Sequence, residues 1–309
     1  MHKIAIGVTT YKRPKLLKRT LEAIAKLEVV AEVHVFVADN DPEKHEGVDT
    51  ANEISALGFP FPLTAFSVLG RGFTYPRNAL VARAFEIEDF DGLAIVDDDQ
   101  RPEPNWLQAM IDVQVKFQAD VVAPLVMPEF ESHPSLWSRT SKIYFRDGSV
   151  TGLVATLSGD GGILFARRIV NLVSKPWYNH MFSLTGGADA DLFLRMKKNG
   201  ARFARTSKSI IHEFYPATRL SLAWAFKRSY RIGNATILIQ LQNQSKSKLI
   251  LRQLPKIVAG LFGGPLLSVL YFWSPGVAVD MLCKSSHACG KLAAFAGSKY
   301  LEYDQIHGD

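Results

Sequence analysis

The feature that most constrains the fold is a regular alternation of short apolar runs and amphipathic stretches over about the first 125 residues. β-Branched runs such as IAIGV (4–8) are bounded by polar residues and indicate buried strands. Strands that alternate with helices through short connections form a mostly parallel, Rossmann-like α/β sheet flanked by helices. Strands are predicted at residues 4–8, 31–41, 63–69, 91–99 and 120–126, with helices from Pro14 and at residues 47–57, 76–86 and 105–117 between them.

Three polar clusters follow directly on predicted strands. They are Thr9–Thr10–Tyr11, Asp39–Asn40–Asp41 and Asp97–Asp98–Asp99. In parallel α/β sheets, ligands bind at the carboxyl ends of the strands. The three clusters therefore predict one ligand site at a single edge of the sheet.

The run of three adjacent aspartates raises a question of charge, since neighbouring carboxylates repel one another. A hard divalent cation relieves that repulsion, and Mg²⁺ or Mn²⁺ takes one or two carboxylates together with substrate phosphates. A solvated acidic turn is the alternative. The chain as a whole carries a net charge of +6, which favours an anionic partner such as a nucleotide, a nucleic acid or an acidic membrane.

The C-terminal part differs in character from the rest. After Pro216 the chain is basic and amphipathic, and residues 257–273 contain no charge over 17 positions. Gly263, Gly264 and Pro265 interrupt this run, which favours an interfacial or re-entrant helical segment over a clean membrane span; a buried helical hairpin is the alternative. We expect a catalytic domain at 1–216 and a helical, membrane-associated region at 217–309. The apolar N-terminal run is too short for a signal peptide, so the catalytic part is expected in the cytoplasm.

Seven motifs now support a family resemblance. They occur in the order VTTYKRP, VADND, RGFTYPRNAL, AIVDDDQRPEPNW, GDGGILFARR, GGADADLFLRM and HEFYP. Over about residues 3–235 the chain resembles the family 2 glycosyltransferases, and within them the bacterial exopolysaccharide glucosyltransferases of the succinoglycan type. The resemblance implies the GT-A fold.

The resemblance also implies roles for individual residues. The nucleotide of the donor is expected at a set made up of Thr9, Tyr11, Arg13, Asp39, Arg77, Asn78 and Asp97, with Asp39 on the nucleobase. Asp97 and Asp99 match the ends of the DXD motif and are expected at the metal, as is the later His212. Asp98 fills the variable middle of the motif and stays open as a further ligand.

The catalytic base implied by the resemblance is Asp189, in the turn GGAD. The family often has glutamate where this chain has Ala188. A general base has to lie within hydrogen-bond reach of the acceptor hydroxyl. Asp191 is a second candidate, and helix N-capping is the structural alternative for either aspartate.

The implied function is an inverting, metal-dependent transfer of a sugar from a nucleotide-sugar, expected to be UDP-linked. The expected acceptor is a lipid-linked oligosaccharide or a polysaccharide at the cytoplasmic face of a bacterial inner membrane. A membrane-attached, non-catalytic nucleotide-binding scaffold is one alternative. A Mg²⁺ phosphatase of the haloacid dehalogenase type is another, but its motif requires Thr or Val where Arg101 stands. We expect no nucleic-acid partner, since no nucleic-acid-binding motif is recognised.

Overall fold

A computed structural model describes residues 2–145, 150–157, 159 and 161–301. In this part of the chain, nine strands form one sheet in the order β3-β2-β1-β4-β8-β6-β9-β5, and β7 pairs with β9. The strands are β1 (Lys3–Thr10), β2 (Glu32–Asp39), β3 (Leu63–Ser67), β4 (Gly92–Asp97), β5 (Gln100–Pro102), β6 (Val121–Phe130), β7 (Gly152–Val154), β8 (Ile163–Ala166) and β9 (Phe203–Tyr215).

Helices cover both faces of this sheet. They are α1 (Pro14–Ile24), α2 (Glu46–Ala56), α3 (Thr74–Ala82), α4 (Trp106–Phe117), α5 (Ile169–Leu172), α6 (Ala188–Lys198), α7 (Leu222–Leu241), α8 (Lys246–Val258), α9 (Gly264–Leu270) and α10 (Pro275–Phe295). A π-helical turn, Arg83–Ile87, continues α3. Another, Ala259–Gly263, joins α8 to α9.

Strand periodicity divides the core between the two faces. Ala5 of β1 packs with Leu80 of α3 on one side, whereas Ile6 of the same strand packs with Leu17 and Leu21 of α1 on the other. Both faces of β1 are buried, as expected for a parallel strand covered by helices on each side. The α/β architecture predicted from the alternation is confirmed.

Parallel pairing holds β1, β2, β3 and β4 together. The second half of the sheet is mixed, because β8 runs antiparallel to both β4 and β6.

The C-terminal helices pack on one another and on the sheet domain. Gly233 of α7 and Gly290 of α10 lie where an added Cβ would collide with backbone carbonyls of the facing helix, those of His287 and Tyr230. Glycine at both positions therefore allows α7 and α10 to approach closely.

By length and composition, one helical run among the described residues, Lys246–Leu270, is apolar enough to cross a membrane.

Candidate active site

The ends of β1 and β4 lie side by side at the carboxyl edge of the sheet. The parallel register pairs Thr9 with Asp97. The Thr9 hydroxyl donates to Asp97 Oδ1 at 2.8 Å, and the Thr10 hydroxyl donates to Asp98 Oδ2 at 2.9 Å. Two neighbouring threonines thus fix the two neighbouring carboxylates, each through its own hydrogen bond.

Asp98 organises the loop that follows β1. Its carboxylate is buried and accepts from the backbone N–H of Tyr11 at 3.4 Å and from Arg13 Nη1 at 3.2 Å. Thr20 of α1 donates to the Asp98 carbonyl at 2.7 Å. The middle aspartate therefore joins the loop after β1 (Tyr11–Arg13), called the first loop, to Asp97–Asp99, called the acidic turn.

Asp99 has a raised pKa although two arginines lie close to its carboxylate. Arg13 Nη1 is 3.6 Å and Arg219 Nη1 3.5 Å from its Oδ2. Burial and the negative charge of Asp98 raise its pKa to about 7, and Glu213 adds to this against the attraction of Arg219. Acidic side chains thus cluster at the position that the resemblance assigns to a metal ligand.

Arg77 links two acidic positions that are far apart in sequence. Its Nη2 donates to both carboxylate oxygens of Asp97, at 2.9 and 3.0 Å, and its Nη1 donates to Asp189 Oδ1. Burial opposes the charge on Arg77, yet attraction to Asp189 and Asp97 raises its pKa well above the usual value. Burial would likewise raise the pKa of Asp97, but Arg77 outweighs it and lowers that pKa.

The turn before Asp189 depends on two glycines. Gly186 and Gly187 have φ angles of 77° and 93°, a left-handed conformation that glycine adopts without a steric cost. This turn starts α6 at Ala188, so Asp189 lies in the first helical turn. Asp189 lines a cavity at the strand ends.

Asp191 lies two residues after Asp189 in α6, and its side chain is buried. Its side chain is 3% exposed and accepts from Arg195 Nε at 2.8 Å. Arg195 also donates to the Trp177 carbonyl. Asp191 is therefore part of a buried ion pair that holds α6.

Three further predicted residues, Asp39, Asn78 and His212, lie apart from Asp97–Asp99, Arg77 and Asp189. Asp39 is fully buried, and its carboxylate accepts from the backbone N–H groups of Asp41, Gly47 and Val48 at the start of α2. Its neighbours Asn40 and Asp41 line the cavity instead.

Asn78 makes a pair of hydrogen bonds with the backbone of Tyr178, at 2.8 and 2.9 Å. This pair fastens α3 to the segment before α6. The side chain is thus engaged with protein rather than with the cavity.

His212 projects from β9 to the face opposite Glu213, since neighbouring strand residues point to opposite sides. Its Nε2 is 3.0 Å from Glu103 Oε1, whereas Glu213 lines the cavity. The structure does not bring His212 together with Asp97 and Asp99.

A cavity of about 1110 Å³ lies above the strand ends. Its lining has a strand-end half, which contains the first loop, the acidic turn and Asp189, and a second half contributed mainly by α7 and α10. The two polar clusters predicted at 9–11 and 97–99 and the candidate base thus face one space.

The donor set at this edge suits a divalent cation. In the described part of the chain, no group of three or more His, Cys, Asp and Glu side chains is arranged to hold a metal ion. Mg²⁺ and Mn²⁺ need only one or two carboxylates when substrate phosphates complete their coordination. Asp99, with Glu213 beside it and a carboxyl pKa of about 7, fits that requirement.

The sequence patterns missed several residues of this site. Glu213 and Arg219 lie beside Asp99, and the pairing of Arg77 with Asp189 spans 112 positions. For Glu213 a signal existed, since it adjoins His212 in HEFYP and strand alternation permits only one of the two to face the acids.

The chain belongs to the family 2 glycosyltransferases. The sequence profile described as glycosyltransferase like family 2 matches residues 2–235, and the protein is accordingly a glycosyltransferase. It is 29% identical over 240 residues to the succinoglycan biosynthesis protein ExoM of Rhizobium meliloti (strain 1021), a match that covers 74% of this chain and 72% of the relative.

Solved structures place the fold in the GT-A class. Residues 1–349 of S. aureus TarS superpose with a TM-score of 0.50 at 13% identity, covering 96% of this chain and 93% of that one. GalNAc-T7, crystallised with UDP, GalNAc and Mn²⁺, gives a TM-score of 0.55 at 11% identity over 76% of this chain and 48% of that one. At these identities the likeness concerns the fold alone.

Proposed function

We propose that the protein transfers a hexose, with inversion, from a UDP-linked donor to an acceptor used in cell-surface polysaccharide synthesis. The observation that carries this proposal is that Arg77 joins the acidic turn to Asp189 within one cavity. A donor held at the acidic turn and a hydroxyl held at Asp189 would then lie on the two sides of one reacting carbon.

In this mechanism Asp189 takes the proton of the acceptor hydroxyl as its oxygen attacks the anomeric carbon. The bond to the diphosphate oxygen breaks on the opposite face, which inverts the configuration. Arg77 orients the Asp189 carboxylate through its hydrogen bond to Oδ1. Asp99, with Asp97 and Glu213 nearby, would hold Mg²⁺ or Mn²⁺, which when bound neutralises the departing diphosphate.

The nucleobase is assigned to the end of the cavity that contains Tyr11, Asn40 and Asp41. Among the described residues, no hydrogen-bond donor reaches the buried Asp41 Oδ2, and we assign this atom as an acceptor for a nucleobase N–H. Asp39 shapes this loop through its three backbone hydrogen bonds. UDP is the nucleotide in solved structures of similar fold.

Calorimetric titration with UDP, GDP and CMP, each with and without Mn²⁺, tests the donor assignment. We expect UDP to bind, the other two not to bind, and the omission of Mn²⁺ to weaken UDP binding at least about tenfold. The variant Asp112→Asn, on the exposed side of α4, is the matched control and should bind UDP as the unmodified chain does. Failure of every nucleotide to bind would refute both the transferase mechanism and the nucleotide-binding scaffold.

We also propose that residues 217–309 hold the enzyme to the cytoplasmic face of the inner membrane, while residues 1–216 form the catalytic domain. An apolar patch runs along α8, α9 and the turn after them, with side chains between 46% and 78% exposed. The patch consists of Leu251, Val258, Phe262, Leu266, Val269 and Trp273. Four exposed cations of α8 accompany it, namely Lys246, Lys248, Arg252 and Lys256, and these suit anionic lipid headgroups.

The geometry favours an interfacial position over a transmembrane one. An added Cβ on Gly264 of α9 would lie 2.7 Å from the Met281 carbonyl of α10, and one on Gly260 would lie 3.0 Å from the Lys284 carbonyl. One side of the α8–α9 run is therefore packed against α10, and only the other side is open to lipid.

Co-sedimentation with phosphatidylglycerol vesicles tests the membrane assignment. The double variant Leu251→Ser/Leu266→Ser should lower the vesicle-bound fraction at least about tenfold, since each leucine loses roughly 1.5–3 kcal/mol of apolar transfer. The control Leu57→Ser/Leu136→Ser removes two leucines that are 85% and 73% exposed elsewhere and should leave binding unchanged. Equal losses in both double variants would contradict a specific membrane-facing patch.

A further inference from the structure

The cavity has two halves of opposite charge. Among the described residues, the strand-end half is lined by seven carboxylates and five cations, whereas the half contributed by α7, α10 and the loop of Lys142 is lined by four cations and one carboxylate. The four cations are Arg228 and Arg231 of α7, Lys284 of α10 and Lys142, which lies between β6 and β7. The acidic half suits a metal ion, and the basic half suits a second, anionic group.

The one carboxylate of the basic half is already engaged with the protein. Asp280 accepts from the Ser141 hydroxyl at 2.6 Å and from the backbone N–H of Lys142 at 3.1 Å. These bonds hold the loop that carries Lys142 against α10. Asp280 therefore positions one of the cations, and the four cations outnumber this one carboxylate.

The basic half lies close to the candidate base. An added Cβ on Gly187, in the turn before Asp189, would lie 3.1 Å from Ala235 and 3.2 Å from Ile239 of α7. Arg231 and Arg228 precede Ala235 by four and seven residues, or about 6 and 10 Å along the helix axis. A single molecule can therefore bind these arginines through an anionic group and place a hydroxyl at Asp189.

The basic half is also close to the apolar patch. Lys284 lines the cavity, while its carbonyl faces Gly260 of the run that carries the patch. One helix, about 10 Å across, therefore separates the cations from the proposed lipid surface. A ligand with an apolar tail, then phosphates, then a sugar would match the order of patch, cations and base.

We propose that Arg228, Arg231, Lys284 and Lys142 form the subsite for the diphosphate of a lipid-linked acceptor. This assignment rests on the proposed function, because it takes Asp189 as the base and the patch as membrane-facing. It selects a lipid diphosphate that carries the acceptor sugar over a free polysaccharide end, which has no phosphate for these cations.

Titration with farnesyl diphosphate, a water-soluble lipid diphosphate, tests the proposal on the full chain saturated with UDP and Mn²⁺. We expect farnesyl diphosphate to bind without displacing UDP. The double variant Arg228→Gln/Lys284→Gln should weaken farnesyl diphosphate binding at least tenfold and change UDP binding less than twofold. Retained UDP binding shows at the same time that the variant is folded.

Two comparisons complete the experiment. The control Lys227→Gln/Lys197→Gln removes the same charge from exposed positions of α7 and α6 and should leave both affinities unchanged. Inorganic diphosphate should bind at least tenfold more weakly than farnesyl diphosphate, since it lacks the apolar chain. Equal binding of the two would overturn the lipid part of the proposal.

The remaining outcomes separate this proposal from the proposed function. If UDP displaces farnesyl diphosphate, or the double variant loses UDP as well, the cations serve the donor diphosphate and the acceptor subsite is refuted. If UDP binds but farnesyl diphosphate does not, the subsite is refuted and the transferase mechanism stands. If neither binds, the proposed function itself fails.

Discussion

Replacing Asp99 with asparagine is expected to abolish sugar transfer and, at the same time, to stabilise the metal-free protein at pH 8. Loss of the carboxylate that would hold the cation should lower kcat at least about a hundredfold. The stabilisation follows because burial and the charge of Asp98 raise the Asp99 pKa to about 7, well above about 4 in an unfolded chain.

The sign of the pH dependence follows from that difference. A carboxyl group whose pKa is higher in the folded state favours folding while it is protonated, and that contribution is lost as the pH rises from about 4 through about 7. The loss amounts to up to about 4 kcal/mol at 1.36 kcal/mol per pKa unit. Asparagine has no proton to lose, so the variant should exceed the unmodified protein in stability at pH 8 by a few kcal/mol.

Thermal unfolding at pH 5 and pH 8, without divalent cations, measures this effect. We expect the midpoint of Asp99→Asn to exceed that of the unmodified chain by about 5 °C or more at pH 8 and by much less at pH 5. The control Asp112→Asn should follow the unmodified chain at both values. A variant that is destabilised at pH 8 would show that Arg13 and Arg219 compensate the Asp99 charge fully, contrary to the raised pKa.

Replacing Asp189 with asparagine is expected to remove transfer while sparing donor binding. Asparagine retains an oxygen that accepts from Arg77, so the geometry of the site is kept and only the capacity to take a proton is lost. General-base catalysis contributes typically 10²–10⁴-fold, and kcat should fall by about that factor. UDP affinity, measured by calorimetry, should change less than about twofold.

Asp191→Asn is the matched control for this experiment, since it makes the same change two positions along α6. It weakens the buried hydrogen bond to Arg195 and should cost about 2 kcal/mol of stability. The rate per folded molecule should stay within about threefold. A near-normal rate in Asp189→Asn would refute the base assignment, and a loss confined to Asp191→Asn would transfer the role to Asp191.

Local patterns were sufficient for the first half of the fold. The run IAIGV and the leucine spacing after Pro14 predicted β1 and α1, which extend over Lys3–Thr10 and Pro14–Ile24. The helix predicted at 76–86 is α3 followed by a π-turn from Arg83 to Ile87. Such elements depend on side-chain periodicity within about ten residues, which the sequence displays directly.

The roles within the acidic turn were less accessible. The sequence placed Asp97, Asp98 and Asp99 at a strand end, but their partners come from other elements. Thr9 and Arg77 bind Asp97, whose pKa is lowered. Burial raises the pKa of both Asp98 and Asp99, although Arg13 binds Asp98. Only the packing of these elements determines which carboxylate is compensated.

The sequence by itself determined the α/β class, the family, the acidic strand end and the apolar C-terminal run, because each depends on the order and spacing of residues along the chain. The tertiary structure decided that Arg77 joins Asp97 to Asp189, that Glu213 rather than His212 faces the cavity, and that cations of α7 and α10 line the same cavity. The physical reason is that charge compensation and side-chain direction arise from contacts between distant elements, whose register and packing no local pattern specifies.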